Sequence, residues 1–285
     1  MRTIPLRKPS VAFQLTAAFL SLLLFPAFSR AQTGTAETGK KEAWQILETA
    51  IQAQDVGDRA TAIRVLGLLP GDTKAAELAD KGLDDPKSQV RAAAAAALGQ
   101  MGASAAIPSL KKALYDSEVS VALAAAHALN LMHDESAYEV YYAILTGGRK
   151  GGKGLVAAQL DVLQDPKKLA GIGLREGIGF VPFAGIGWDA FRAVQKNDTS
   201  QVRAASASVL ADDTDPRSGE ALVKATGDKN WLVRVAALEA LAKRKDPSLL
   251  SRIETSMSDS KKEVRYTAAA VVLRLHAVQE ARESK

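Results

Sequence analysis

The sequence predicts an all-α protein, a right-handed α-solenoid of about seven two-helix repeats interrupted by one glycine-rich insertion. Three observations predict it. The pairs Val202-Arg203, Val233-Arg234 and Val264-Arg265 stand 31 residues apart, and Val121-Ala122 lies 31 after Val90-Arg91. Small and apolar residues recur at fixed offsets behind each pair, as stacked repeats require. No run of the chain alternates with the two-residue period of a strand.

The first helix of each repeat follows from its anchor. Counting Arg59, Arg91, Ala122, Lys153, Arg203, Arg234 and Arg265 as anchors, position +7 holds Leu66, Leu98, Leu129, Leu160, Leu210, Leu241 and Val272. Position +3 holds Ala62, Ala94, Ala125, Val156, Ser206, Ala237 and Ala268. Offsets of three and seven share one helical face, and small side chains there let a neighbouring helix come close. Five of the seven anchors are arginine.

The second helix shows as an apolar column at +19, with Leu78, Leu110, Tyr141, Leu222 and Ile253. Pro108 and Pro247 fall where these helices begin, and proline is tolerated only in a first turn. The Asp-Pro pairs at 85, 165, 215 and 246 read as helix starts for the same reason.

An acidic or amide residue stands six before most anchors. Asp85 precedes Arg91, Asp116 precedes Ala122, Asn197 precedes Arg203, Asp228 precedes Arg234 and Asp259 precedes Arg265. With the Ala/Leu-rich helix that follows, this pattern resembles the HEAT-repeat family, especially the short bacterial HEAT-like units also found in phycobilin lyases. The resemblance covers residues 42–280. It implies a ladder in which Asp and Arg side chains alternate along the stack. The expectation is that each Asp caps a helix N-terminus while the arginine of the next repeat reaches it. The pattern lapses at Ala122, and Gly147–Lys153 replaces the expected turn, so the stack is expected to be distorted there.

Outside the repeats, Arg2, Arg7 and Lys8, the apolar stretch Val11–Phe28 and Ser29-Arg30-Ala31 have the three-part layout of a secretory signal. The expected organisation is a signal peptide over 1–31, a linker over 32–41, the solenoid over 42–280 and a charged tail over 281–285. Cleavage near Ala31 would make the protein exported, periplasmic or secreted. The first helix is expected from Lys41 to Gln54. The net charge of +5 comes from 37 basic and 32 acidic residues, and four of the basic ones lie in residues 1–31. The remainder, 33 against 32, lacks the clustered basic surplus that tracks phosphates. Nucleic acid is therefore not the expected partner. There is no cysteine, so neither disulfides nor thiolate metal sites.

The spacing from Lys153 to Arg203 is 50, which exceeds the period by 19 and places an insertion at about residues 164–187. It carries Gly171-Ile172-Gly173, Gly177-Ile178-Gly179 and Gly185-Ile186-Gly187 around Phe180-Val181-Pro182-Phe183. Lengthening a turn of about four residues to about 23 costs only about 1.5 kcal/mol of closure entropy, so the insertion alone proves nothing. Two readings stand: a loop packed back on the solenoid, or a binding element whose apolar tip meets a protein or the periphery of a membrane. Phe180, Val181, Phe183, Ile186 and Trp188 are the candidate contact residues, with Trp231 as a separate one.

Catalytic chemistry is not legible. Gly147 to Lys153 has phosphate-loop spacing up to its lysine, but Gly154 stands where Ser or Thr must hold magnesium. His127 and His133, six apart, lie on different helical faces and have no carboxylate ligand set. No nucleophile elbow occurs. From this the expectation is no enzyme, no catalytic or metal residues and no cofactor. The function expected is a non-catalytic scaffold binding a protein partner; the alternative is an accessory or lyase-like subunit acting on a protein-bound ligand, as the resemblance implies.

Overall fold

The computed structural model describes residues 25–145 and 199–284. Every regular element among them is helical. In chain order they are α1 (Phe25–Ile51), α2 (Val56–Val65), α3 (Thr73–Gly82), α4 (Ser88–Met101), α5 (Ile107–Ala113), α6 (Val119–Leu131) and α7 (Ser136–Leu145). Then come α8 (Ser200–Leu210), α9 (Pro216–Ala225), α10 (Trp231–Arg244), the one-turn α11 (Leu250–Ile253) and α12 (Lys262–Glu283). Contacts divide the chain at Lys41, and the repeat stack is the unit Glu42–Lys285. Residues 32–41, the expected linker, are helical within α1, so the first helix begins well before Lys41.

The architecture is an α-solenoid of two layers. The anchor-bearing helices α2, α4 and α6 pack on one another in order, and so do α8, α10 and α12. The second helices α3, α5 and α9 pack chiefly on the anchor helix of the following repeat, and α7 packs on that of its own. Close packing in one layer follows from its small residues. Ala62, Ala94, Ala125, Ala237 and Ala268 at +3 are fully buried, as are Leu66, Leu98, Leu129, Leu241 and Val272 at +7. Of the outer column, Leu110, Leu222 and Ile253 are buried, while Leu78 and Tyr141 are partly so.

Position +8 sets the approach of neighbouring anchor helices. Gly99 lies so close to α6 that a Cβ there would stand 2.6 Å from Ala128 Cα. Gly67 in the preceding repeat would meet Ala97 Cα at 3.3 Å. These glycines are required by packing, not by backbone conformation.

Helix ends are specified locally. Asp55, Asp72 and Asp215 cap α2, α3 and α9 through their carboxylates, and Pro216 occupies the first turn of α9. Asp246 similarly starts the 3₁₀ turn at Pro247. Asp85-Pro86 departs from the helix-start reading: α4 begins at Ser88 with Lys87 as its N-cap, so this pair forms the preceding turn. At +11 the chain enters the left-handed region in three repeats, at Gly102 (φ 66°), His133 (φ 58°) and Lys245 (φ 54°). His133 thus occupies a helix-terminating position.

The last helix meets the first repeat. α12 packs against α10 on one flank and α2 on the other. Every residue from Tyr266 to Leu273 is buried, more than two turns covered on all sides, which a terminal helix of an open stack would not show.

Candidate interaction surfaces

The anchor arginines each join two repeats. Arg91 donates from Nε and Nη2 to the two carboxylate oxygens of Asp116 at 2.7 and 2.8 Å, and from Nη1 to the Asp85 carbonyl at 2.9 Å. Arg59 grips Asp85 at 2.9 and 3.1 Å, Arg203 grips Asp228 at 2.9 and 3.0 Å, and Arg234 grips Asp259 with both contacts at 2.8 Å. Arg234 and Arg265 also donate to the carbonyls of Asp228 and Asp259 in their own turns. Asn197 and Lys153 lie outside the described residues.

Two details correct the expected ladder. The arginine that reaches each Asp belongs to the preceding repeat, not the next: Asp85 is held by Arg59, and Asp116 by Arg91. Nor does the Asp cap its helix. Its Oδ1 accepts the backbone N–H two residues on, from Lys87, Glu118, Asn230 or Lys261, each at 2.8 Å. That closes the turn before the helix, and the bidentate fork fixes it against the neighbouring repeat.

These pairs are set into the stack, with side chains of Arg91, Asp116, Arg234 and Asp259 only 12–15% exposed. Burial would raise the carboxyl pKa of Asp85, Asp116 and Asp259, but the arginine and backbone hydrogen bonds outweigh it and hold each below the usual carboxylate range. Asp228 is lowered foremost by its bond from Arg203. Ala122, fully buried, replaces the arginine in the third repeat, and the position 25 residues later, where its Asp would stand, is Gly147. Both halves of the rung are absent from the sequence together, as expected when a lone buried charge is costly.

On the anchor helices the face left accessible runs through +5 and +9. Position +5 carries Arg64, Ala96, His127, Ser208, Glu239 and Ala270, of which only Ala270 is buried. Glu239 keeps an exposed surface, yet desolvation pushes its carboxyl pKa up and the Arg64 charge pulls it back. Arg64 is shifted down by desolvation. The two feel each other although α12 packs between α2 and α10, and the small Ala270 stands at the same column of α12. Accessible yet desolvated groups that interact across an intervening helix place Arg64 and Glu239 in a concave part of the surface.

A second recess of about 440 Å³ opens at the turns between α3 and α5. Asp80, Asp84, Lys112 and Tyr115 line it beside the Arg91–Asp116 rung, and Lys112 pairs with Asp84 at 3.6 Å. Of the sequence candidates, Trp231 is the first residue of α10, partly buried and packed on the core. Phe180, Val181, Phe183, Ile186 and Trp188 lie outside the described residues. Among the described residues no helix is long and apolar enough to cross a membrane.

The accessible recesses, the +5 column and the fork geometry at the turns were not anticipated from the sequence. The columns could have shown the first: +5 is the one inner offset where charged and small residues alternate.

A family model described as HEAT repeats matches residues 44–130 and 190–274. No curated protein matches. Among solved structures, human deoxyhypusine hydroxylase in complex with glycerol is 19% identical, covering 85% of this chain and 99% of that one, with a TM-score of 0.34. The complex of CpcE and CpcF of phycocyanin lyase from Nostoc sp. PCC7120 is 22% identical, covering 80% and 93%, with a TM-score of 0.33. Likeness at this level shows the fold alone. Both are enzymes by name, so the expectation that the chain is no enzyme is withdrawn. A repeat fold can bring together side chains from distant repeats, so the lack of a compact catalytic motif in the sequence could not exclude an enzyme.

Proposed function

This chain belongs to the HEAT-repeat family, and from that premise we propose that it is an exported scaffold that binds a protein partner on the accessible face of its anchor helices. The observation that carries the reading is the +5 column, accessible at Arg64, Ala96, His127, Ser208 and Glu239 and interrupted at buried Ala270. Solenoids offer such extended surfaces to partners. Mixed charge on this face favours a polar protein segment over lipid. Export is supported by Arg2, Arg7, Lys8, the apolar stretch Val11–Phe28 and the small residues Ser29 and Ala31.

Photo-crosslinkers placed at Ala96, Ser208 and Glu239, and at outward Lys111 as control, test the binding surface. Expected is one recurring protein adduct from the +5 positions and none from Lys111. Adducts only at Lys111, or none at all while the purified chain retains a small ligand from its host, would favour instead the accessory or lyase-like role on a protein-bound ligand. Mass measurement of the protein recovered from the host tests export: the expected N-terminus is Gln32, and an intact Met1 chain in the cell interior would reject it.

A further inference from the structure

We propose that the contact between α2 and α12 is a seam at which the repeat stack opens and recloses. Three observations carry this inference. Each described junction between successive anchor helices holds an Arg–Asp fork: Arg59–Asp85, Arg91–Asp116, Arg203–Asp228 and Arg234–Asp259. The α2–α12 junction does not. Arg265, which would supply the fork, donates to the carbonyls of Asp259 and Ser260 in its own turn and lies 5.9 Å from the centre of the Tyr266 ring. The sequence places Ala53 where the first repeat would need its Asp.

A different and wetter bridge stands there. Lys262 Nζ lies 2.8 Å from Asp58 and 3.2 Å from Asp55, and the side chains of Lys262, Asp58 and Asp55 are 37%, 23% and 60% exposed. Tyr266 also hydrogen-bonds Asp58 across this junction, and Arg274 Nη1 lies at the long distance of 3.5 Å from the Pro70 carbonyl. The third observation is packing: α12 meets α2 less extensively than it meets α10, and less than α2 meets α4. Solvent-exposed ion pairs are screened by salt, whereas partly buried forks are screened much less. The seam is therefore the junction whose loss disrupts no fork and no single repeat. Opening there uncovers the facing apolar flanks of α2 and α12.

The chain has no cysteine, so spin labels can be placed cleanly on full-length protein. One pair, Gln54→Cys with Lys261→Cys, spans the seam; a control pair, Lys229→Cys with Ser260→Cys, spans the α10–α12 fork junction. Pulsed dipolar distances at low salt are expected to give one short population for each pair. In 1 M salt, where the Debye length is about 3 Å, the seam pair gains a second population longer by about one helix diameter, ~10 Å, and Lys262→Glu makes it dominant. The control pair stays unchanged. A single unshifted seam distance in 1 M salt overturns the proposal, as does equal broadening of both pairs, which would mean general loosening. If Lys262→Glu fails to fold, by loss of its helical circular dichroism, the salt series on the Lys262 protein decides alone.

Discussion

Arg91 and Asp116, 25 residues apart in sequence, meet through a planar two-pronged contact at 2.7 and 2.8 Å, while the third arm of Arg91 holds the Asp85 carbonyl. One guanidinium thus ties together the turn before its own helix and the turn before the next. A similar arrangement recurs at Arg234, whose Nη2 donates to Asp259 with Nε 2.8 Å from its other oxygen, and whose Nη1 donates to the Asp228 carbonyl.

Removing one half of this contact leaves the other charge partly buried. Arg91→Ala and Asp116→Ala are each expected to cost about 1.5–3 kcal/mol, the range for hydrogen bonds to charged groups. Their double variant should cost less than the sum by about 1 kcal/mol or more. Urea unfolding of the four proteins measures the coupling, and additive losses would reject it.

The forks also set a pH dependence. Asp85, Asp116, Asp228 and Asp259 have folded pKa values below those of the unfolded chain. Their contribution is therefore complete above the unfolded carboxylate value of about 3.9 and is lost as pH falls through the folded values. Urea midpoints measured downward from pH 5 should drop, and less steeply in Arg234→Ala, whose Asp259 has lost its partner.

Lys262 predicts the opposite limb. Its pKa is raised from 10.5 to about 12, foremost by the bond with Asp58. The stabilisation it brings is complete below pH 10.5 and disappears as pH rises through about 12. Lys262→Met should flatten the alkaline fall in stability relative to the unmodified chain; identical alkaline limbs would contradict it.

Glycine positions separate by cause. At Gly99 a Cβ would stand 2.6 and 2.7 Å from Ala128 Cα and Cβ, so Gly99→Val is expected to cost about 1–3 kcal/mol through overpacking. Gly102 has open space around it but a φ of 66°; there Gly102→Ala should cost about 1 kcal/mol, from backbone strain alone. Thermal unfolding of the two, with a crystal structure showing α4 and α6 displaced only in the first, distinguishes the mechanisms.

Lys245 occupies the same left-handed position with a side chain. Lys245→Gly is expected to gain about 0.5–1 kcal/mol, since the contact from Arg282 is to the Lys245 carbonyl and survives. A loss of stability would show that the lysine side chain contributes more than its backbone strain costs.

Much of this was legible because a repeat writes the same physics at a fixed interval. The columns at +3 and +7 identified buried Ala94, Leu98, Ala237 and Leu241, and the Asp six before the anchor identified the rung residues. The direction of each rung was not legible. Asp85 is six residues from Arg91 and 26 from Arg59, and a periodic pattern cannot tell which arginine turns toward it. The left-handed positions were hidden for another reason: His133 and Lys245 share only the offset of Gly102, not its chemistry.

By itself, the sequence determined the helical class, the length of the repeating unit, the buried face of each anchor helix and membership of the HEAT-repeat family, because each depends on residues within one or two turns or one period. Only the tertiary structure decided which repeat each arginine serves, that Arg64 and Glu239 interact across α12, and that α12 returns to α2. Lys262 and Asp55 are 207 residues apart, and such a meeting depends on small rotations accumulated from one helix to the next. No local pattern encodes their sum.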